Sequence, residues 1–330
     1  MGAPVGYTHP VFSPLRDGSA AEAFSYPRSV EARELVADAA LGLVDSVDLL
    51  GPNDAEGTAL LYHHLLNCGL RLAATAGTDV WLSYSRGPLI SNPPGWARVY
   101  ADLRGAPLSV AAFQEAIRAG RTLVTNGPWL ELTADGRRPG DILQAEPGQP
   151  ISVSARTTGP GVAHLELIGP DGVLAHSGPR GGGPGGGAAA GGWDDGLGDN
   201  RLDGGLAGGG SHGVVRGSAA DGGMGRTLDD LAIDATVQAG DSMWLCAVAR
   251  GPRHPSVLGP VVFAHTSPVY VEVQGQPVVR APSARWLLDW LDRLEELVRT
   301  HGQFADDGQR DEVVAVIEQA RPYYEAQAAG

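Results

Sequence analysis

The chain has 330 residues, of which 43% are hydrophobic and 19% charged, an ordinary globular mixture apart from its 48 glycines. Its length allows two domains with their own cores, and its formal net charge of −14 argues against a nucleic-acid partner, which requires a basic surface. All 24 basic residues are arginine, which excludes lysine Schiff-base chemistry and the lysine of a phosphate-binding loop.

No part of the sequence indicates a membrane segment or a secretion signal. No apolar run approaches the ~18–20 residues that span a bilayer, and the opening MGAPVGYTHP lacks the charged and apolar regions of a signal peptide. Cys68 and Cys246 lie far apart without metal-binding spacing, and we interpret both as buried or half-buried thiols. We therefore expect a cytoplasmic protein without a membrane partner.

Strand-like and helix-like runs alternate through the first part of the chain. In order, they are a strand over 5–11, a helix over 30–41, a strand over 43–50, a helix over 55–68 and a strand over 70–77. This alternation predicts parallel strands with helical crossovers. We assign residues 1–103 to the later part of an α/β barrel.

The pattern changes after residue 104 to one helix, over 109–120, followed by short strands. Strands are predicted over 150–157, 162–168, 231–238, 242–250 and 267–274, separated by Gly, Pro and Asp. This spacing favours an antiparallel β-sandwich over 104–277. The glycine-rich stretch 178–226 inside it cannot bury enough apolar surface to offset the entropy of ordering, so we predict a disordered insertion.

The last segment, 278–330, is predicted to form a helical hairpin, with helices over 283–300 and about 309–326 and a distortion near Pro322. The first helix carries one apolar stripe, formed by Leu287, Trp290, Leu291, Leu294, Leu297 and Val298. We favour packing of this stripe on its own chain, and a partner-binding face is the alternative.

Two polar residues stand out because each follows a predicted strand at its carboxyl end, where barrels collect catalytic residues. His9 follows the first strand and Asp79 the third, and imidazole and carboxylate suit zinc, manganese or iron. Asp48 is close to the same edge, and we favour a solvated or capping role for it. We interpret His63 and His64 as ordinary packing or surface residues of a helix, and His265 as a structural hydrogen-bonding residue of the β-rich region.

Six motifs occur in order along the chain: GYTHPV, GLVDSVDLL, HHLLNCGLRLAATAGTD, RVYADL, AIRAGRTLVTNGPWLELTADGRRPGD and AHTSPVYVEVQGQPV. Together they resemble the CehA/McbA branch of the PHP (polymerase and histidinol phosphatase) metallohydrolases. The resemblance covers nearly the whole chain except the glycine-rich stretch. Within the fifth motif, we expect Arg121 and Asn126 to position the β-domain against the barrel.

The resemblance implies a distorted (β/α)7 barrel with two or three divalent metal ions at its C-terminal mouth. It also implies hydrolysis of phosphoesters or, in this branch, of carbamate, ester or amide bonds. Two metal ligands carry over, His9 from the His-Pro motif and Asp79 from the late Gly-Thr-Asp motif. The opening His-x-His pair of the family has no counterpart, and Trp81 occupies the position of its last histidine.

Three hypotheses follow for the function of the chain. In the first, it is the C-terminal part of a metal-dependent hydrolase acting on a small molecule, with an incomplete site that binds zinc, manganese or iron weakly or not at all. In the second, it is a non-catalytic binding or scaffolding module derived from that family. In the third, a homo-oligomer or a separate chain completes the barrel and its metal site.

Overall fold

The computed structural model describes residues 2–12, 15, 18–25, 32–80, 94–178 and 229–329. Trp81 and the glycine-rich stretch after Gly178 lie outside the described residues. Among the described helices, none is both long and apolar enough to cross a membrane.

The first part of the chain forms a three-stranded parallel sheet in the order β1-β2-β3. Its strands are β1 (Gly6–Tyr7), β2 (Ser46–Leu50) and β3 (Ala73–Ala76), and its helices are α1 (Ala20–Ser25), α2 (Leu35–Ala40) and α3 (Ala55–Asn67). These strands form an open sheet, and no closed barrel is seen in the described part of the chain. The barrel that the family resemblance implies therefore stays a prediction.

Local sequence explains where α3 begins and ends. Asp54 is its N-cap, because its Oδ1 accepts a hydrogen bond of 2.6 Å from the backbone N–H of Gly57. Gly69 follows the helix with a φ of 77°, a left-handed conformation that glycine adopts without strain. Leu61 and Leu65 are fully buried on one face, so α3 packs against the sheet and the C-terminal helices.

The second part is a sandwich of an eight-stranded and a three-stranded sheet, with the short helix α4 (Val110–Arg118) before most of its strands. The larger sheet contains β4 (Arg98–Ala101), β5 (Thr122–Thr125), β7 (Ile142–Ala145), β9 (His164–Gly169), β10 (Gly172–Ser177), β12 (Met243–Gly251), β13 (Val262–Thr266) and β14 (Val269–Val273). The smaller sheet contains β6 (Trp129–Ala134), β8 (Gln149–Gly159) and β11 (Asp229–Ala239), in the order β11-β8-β6.

Two details of the predicted sandwich are corrected. Strand β4 pairs with β5, with Val99 opposite Val124, so the sandwich already includes residues 98–101 and the predicted boundary after 103 is too late. Among the strands that the structure describes here, the pairs are antiparallel except one, because β7 runs parallel to β14. Strand β7 reaches that edge after the turn at Gly140, whose N–H donates to the carbonyl of Pro268.

The larger sheet is the middle layer of the molecule, since it separates two hydrophobic cores. Alternate residues of β12 show this most clearly. Trp244, Cys246 and Val248 face the core shared with the α/β part, whereas Leu245 and Ala247 face the smaller sheet. All five are fully buried, as expected for a strand covered on both faces.

The chain ends in a helical hairpin of α5 (Ala281–His301) and α6 (Asp307–Ala328). The apolar stripe of α5 packs on its own chain, as favoured from the sequence: Trp290 is fully buried, contacts Phe24 edge-on at 5.1 Å and donates from Nε1 to the carbonyl of Arg33. Tyr324 of α6 donates to the carbonyl of Val36. Helix α6 continues through Pro322 as one helix.

Two hydroxyl groups join the edge strand β3 to the sandwich. The N–H of Ala74 donates to Ser267 Oγ at 2.8 Å, and Thr122 Oγ1 donates to the carbonyl of Ala74 at 2.7 Å. The two hydroxyls contact each other at 2.6 Å, with Ser267 donating because Thr122 uses its proton on Ala74. This seam satisfies the backbone groups of an edge that otherwise invites aggregation.

Replacing Ser267 by alanine is expected to destabilise the protein by about 1–3 kcal/mol, because the buried N–H of Ala74 loses its acceptor. Urea denaturation measures the change. Ser256→Ala, at an exposed loop position, is the matched control and is expected to change stability by less than about 0.5 kcal/mol. Equal stabilities of the two variants would show that the seam contributes nothing.

Candidate metal-binding edge

The carboxyl ends of the three parallel strands meet at one edge of the sheet, and both predicted ligands lie there. His9 follows β1 by two residues, and Asp79 follows β3 by three. Asp48 lies within β2, opposite Thr75 of β3. Open α/β sheets bind ligands at this edge because the loops that leave the strands converge on it.

The backbone at both predicted ligands is unusual. His9 has a φ of 33° and Asp79 a φ of 47°, in the left-handed region that is uncommon for residues other than glycine. The other described non-glycine residues with positive φ each precede a glycine in a tight turn, and they are Arg104, Asp135 and Gln274. His9 and Asp79 have no such neighbour, and unfavourable backbone of this kind collects at functional sites.

Asp48 is more enclosed than the sequence suggested. Its side chain is half-buried, and a Cβ atom at Gly77 would lie 3.3 Å from its Oδ2, so glycine leaves the room that the carboxylate occupies. Burial raises the pKa of Asp48, against the opposing effects of a hydrogen bond from Thr75 and the charge of His9. Asp48 is thus partly enclosed, and the solvated or capping role favoured from the sequence stays a prediction.

A buried side-chain oxygen that could serve as a ligand, that of Asn53, was missed by sequence reasoning. The side-chain amide of Asn53 donates from Nδ2 to Thr58 Oγ1 at 2.8 Å and to the carbonyl of Leu49 at 3.3 Å. Its Oδ1 is buried and has no hydrogen-bond partner among the described residues. Carbonyl oxygens of this kind accept hard divalent cations. The feature of the sequence that could have indicated Asn53 is its position three residues after the end of β2.

The edge supplies ligand types that suit a divalent metal but too few of them. Within the described ranges, no group of three or more His, Cys, Asp or Glu side chains is arranged to hold a metal ion. Asp79 is exposed, and Trp81 lies outside those ranges. Catalytic zinc takes about three protein ligands. The described residues therefore do not complete a catalytic metal site.

A second cluster joins α3 to the sandwich through two histidines 202 residues apart in sequence, whose Nε2 atoms lie 3.1 Å from each other. His265 Nδ1 lies 2.7 Å from the carbonyl of Thr266, so Nδ1 carries the proton and donates. His265 Nε2 must then accept, and His63 Nε2 donates to it. His63 also stacks on Trp244, with ring centroids 4.9 Å apart.

Burial keeps these histidines neutral. It lowers the pKa of His265 to about 4, and burial together with the charges of His265 and Arg250 lowers the pKa of His63 well below its ordinary value. Next to the pair, His64 stacks on Trp286 with centroids 4.3 Å apart, and burial lowers the pKa of His64 to about 4. The structural roles predicted for all three agree with these contacts.

An arginine bridges the same seam. Arg250 of β12 donates to both carboxylate oxygens of Glu56, at 2.6 and 2.9 Å, and also to Glu166 of β9. Glu56 lies in the first turn of α3, so the pair connects the α/β part to the sandwich. Since Glu56 is 58% exposed, water screens this ion pair and its contribution is modest.

Arg121 and Asn126 do not have the role predicted for them. The amide of Asn126 donates to the carbonyl of Val261 at 2.6 Å and accepts from the N–H of Phe263 at 2.9 Å, which fastens the end of β5 to β13 within the sandwich. Arg121 reaches Glu115 of α4 at 3.4 Å. The seam is formed instead by the Ser267 hydroxyl network, the histidine pair and Arg250.

Comparison of the chain with protein-family models, with curated proteins and with solved structures finds no match. The assignment to the CehA/McbA branch therefore depends on the motifs of the sequence and stays a prediction.

Proposed function

We propose that this chain provides part of the metal site of a CehA/McbA-type metal-dependent hydrolase, with His9 and Asp79 as its ligands. The observation that carries the proposal is the left-handed backbone of both residues at the carboxyl edge of a parallel sheet, outside any glycine turn. Two residues of ligand chemistry share a costly conformation that no local turn explains.

The metal would supply an activated water for attack on an ester, carbamate, amide or phosphoester. The residues of this chain hold the site. His9 and Asp79 are the protein ligands, and Asp48 is oriented by Thr75 beside them. Because the described residues do not complete a catalytic site, the remaining ligands come from outside them, in this polypeptide or in a second one.

Removing either His9 or Asp79 as a ligand is expected to weaken metal binding by about tenfold or more, since each is one of the two proposed protein ligands. The measurement is equilibrium dialysis of the full chain against Zn²⁺ or Mn²⁺ with elemental analysis of the bound metal, for His9→Ala and Asp79→Asn. His176→Ala and Asp241→Asn, at exposed positions of the sandwich, are the matched controls. Circular dichroism of each variant verifies that it folds.

Two outcomes would contradict the proposal. The first is metal binding that His9→Ala and Asp79→Asn leave as strong as in the unaltered chain. The second is the absence of any bound Zn²⁺ and Mn²⁺ in a folded, monodisperse protein even with the metal in large excess, since His9 and Asp79 would still bind it weakly. Such a protein would favour the alternative of a non-catalytic binding module. The observation that supports this alternative is that the described edge offers fewer ligands than catalysis needs.

A further inference from the structure

The outer face of the smaller sheet differs from an ordinary solvated face. Along β8, Ile151, Val153 and Ala155 point into the core, and the residues between them point outward. In the middle of the face, most outward side chains are short and uncharged: they are Thr133 of β6, Ser152 and Ser154 of β8 and Thr236 of β11, beside Gly136. Side chains this short leave open the room above the strands that long charged side chains would cover.

These short side chains leave an open trough of about 460 Å³ across the three strands. At one end it is bounded by an ion pair, in which Arg156 Nη2 donates to both carboxylate oxygens of Asp234 at 2.9 and 2.8 Å. The hydrogen bonds from Arg156 lower the pKa of the Asp234 carboxyl, and a hydrogen bond from Ser154 also lowers it. The trough therefore presents fixed hydroxyl, carboxylate and guanidinium groups side by side.

An oriented aromatic ring lies on the same face. Trp129 of β6 alternates with Glu131 and Thr133, so its side chain is outward and about 13 Å along the strand from the trough. The indole is 44% exposed, yet its orientation is fixed because Nε1 donates to Glu131 Oε1 at 3.0 Å and Tyr100 packs edge-on at 5.2 Å. The exposed part of the indole is therefore held in one orientation on this face of the sheet.

We propose that this face binds a neutral oligosaccharide, with Trp129 as the stacking platform and the trough as the hydrogen-bonding site. A sugar chain presents apolar ring faces that stack on indole and many hydroxyls that pair with short polar side chains. The open, elongated shape suits a linear chain rather than an enclosed small molecule. Glu131 and Asp234 disfavour an anionic polymer, in agreement with the net charge of −14.

The test measures binding of the full chain to cellulose, chitin, xylan and starch, and titrates the corresponding hexasaccharides while recording tryptophan fluorescence. We expect one of these glycans to bind weakly, since the site is open. Trp129→Ala removes the stacking platform, and Ser152→Arg fills the trough. Each variant is expected to weaken binding by about tenfold. Phe113→Ala and Ser256→Arg, at exposed positions elsewhere, are the matched controls.

The proposal is overturned if none of the four glycans binds, or if binding is unchanged in both Trp129→Ala and Ser152→Arg. Preferential binding of an extended peptide over all glycans would also overturn it. Both altered side chains are outward, so the core is not disturbed, and thermal unfolding verifies this. The face is far from the metal-binding edge, and its variants are expected to retain the metal binding of the unaltered chain, which separates the two proposals.

Discussion

Lowering the pH from about 6.5 to about 5 is expected to remove about 4–6 kcal/mol of stability, because three buried histidines resist protonation in the folded chain. The pKa values of His64 and His265 are about 4, and that of His63 is well below its ordinary value. Unfolded histidines titrate near 6.5, so below that pH the unfolded chain binds protons that the folded chain does not. Stability therefore falls as the pH falls through this range.

The loss is a large part of the ~5–15 kcal/mol by which domains are stable, so a clear loss of stability near pH 5 is the expected result. Urea denaturation at a series of pH values measures the slope, about 1.4 kcal/mol per pH unit for each histidine. His64→Asn, whose amide can still reach the hydroxyl of Ser283, is expected to reduce the slope by about a third. An unchanged slope in this variant, or stability that is level between pH 6.5 and 5, would contradict the explanation.

Replacing Trp244 by alanine is expected to destabilise the protein by about 4–5 kcal/mol. The indole is fully buried in the core that the sandwich shares with the α/β part, and it stacks on His63. Its Nε1 donates at 2.8 Å to the side-chain oxygen of Asn67, which would lose this donor. Equilibrium urea unfolding, followed by far-ultraviolet circular dichroism, measures the change.

Trp244→Phe is the matched variant, because it keeps most of the apolar volume and loses the hydrogen bond with a smaller part of the ring. It is expected to cost about 1–2 kcal/mol. A loss below about 2 kcal/mol for Trp244→Ala would mean that the two parts of the chain do not share a core at this residue.

Local patterns predicted the α/β elements well where caps and periodicity agreed. The helix predicted over 55–68 is observed as Ala55–Asn67, because Asp54 and Gly69 fix its ends. The strand predicted over 5–11 is only Gly6–Tyr7, since the left-handed His9 and the following proline end it. Apolar periodicity indicates which residues form a strand and carries little information on where unusual backbone interrupts it.

Long-range contacts are the part that the sequence did not predict. The positions of His9 and Asp79 at the carboxyl edge follow from strands that run parallel, as the alternation of strand-like and helix-like runs predicted. The burial of Asp48 and the pairing of His63 with His265 depend instead on how segments up to 202 residues apart pack together. Strand β13 was missed because its fully buried run lacks the alternation that marks a half-exposed strand.

Strand β12 is buried on both faces, and this limits how recombination could rearrange the protein. A sandwich transferred alone to another gene would carry Trp244, Val248 and Phe263 onto an open surface, because these residues now belong to the core shared with the α/β part. Exposed apolar patches of this kind promote association. The sandwich is therefore not a portable module, and a viable exchange would have to move both halves together.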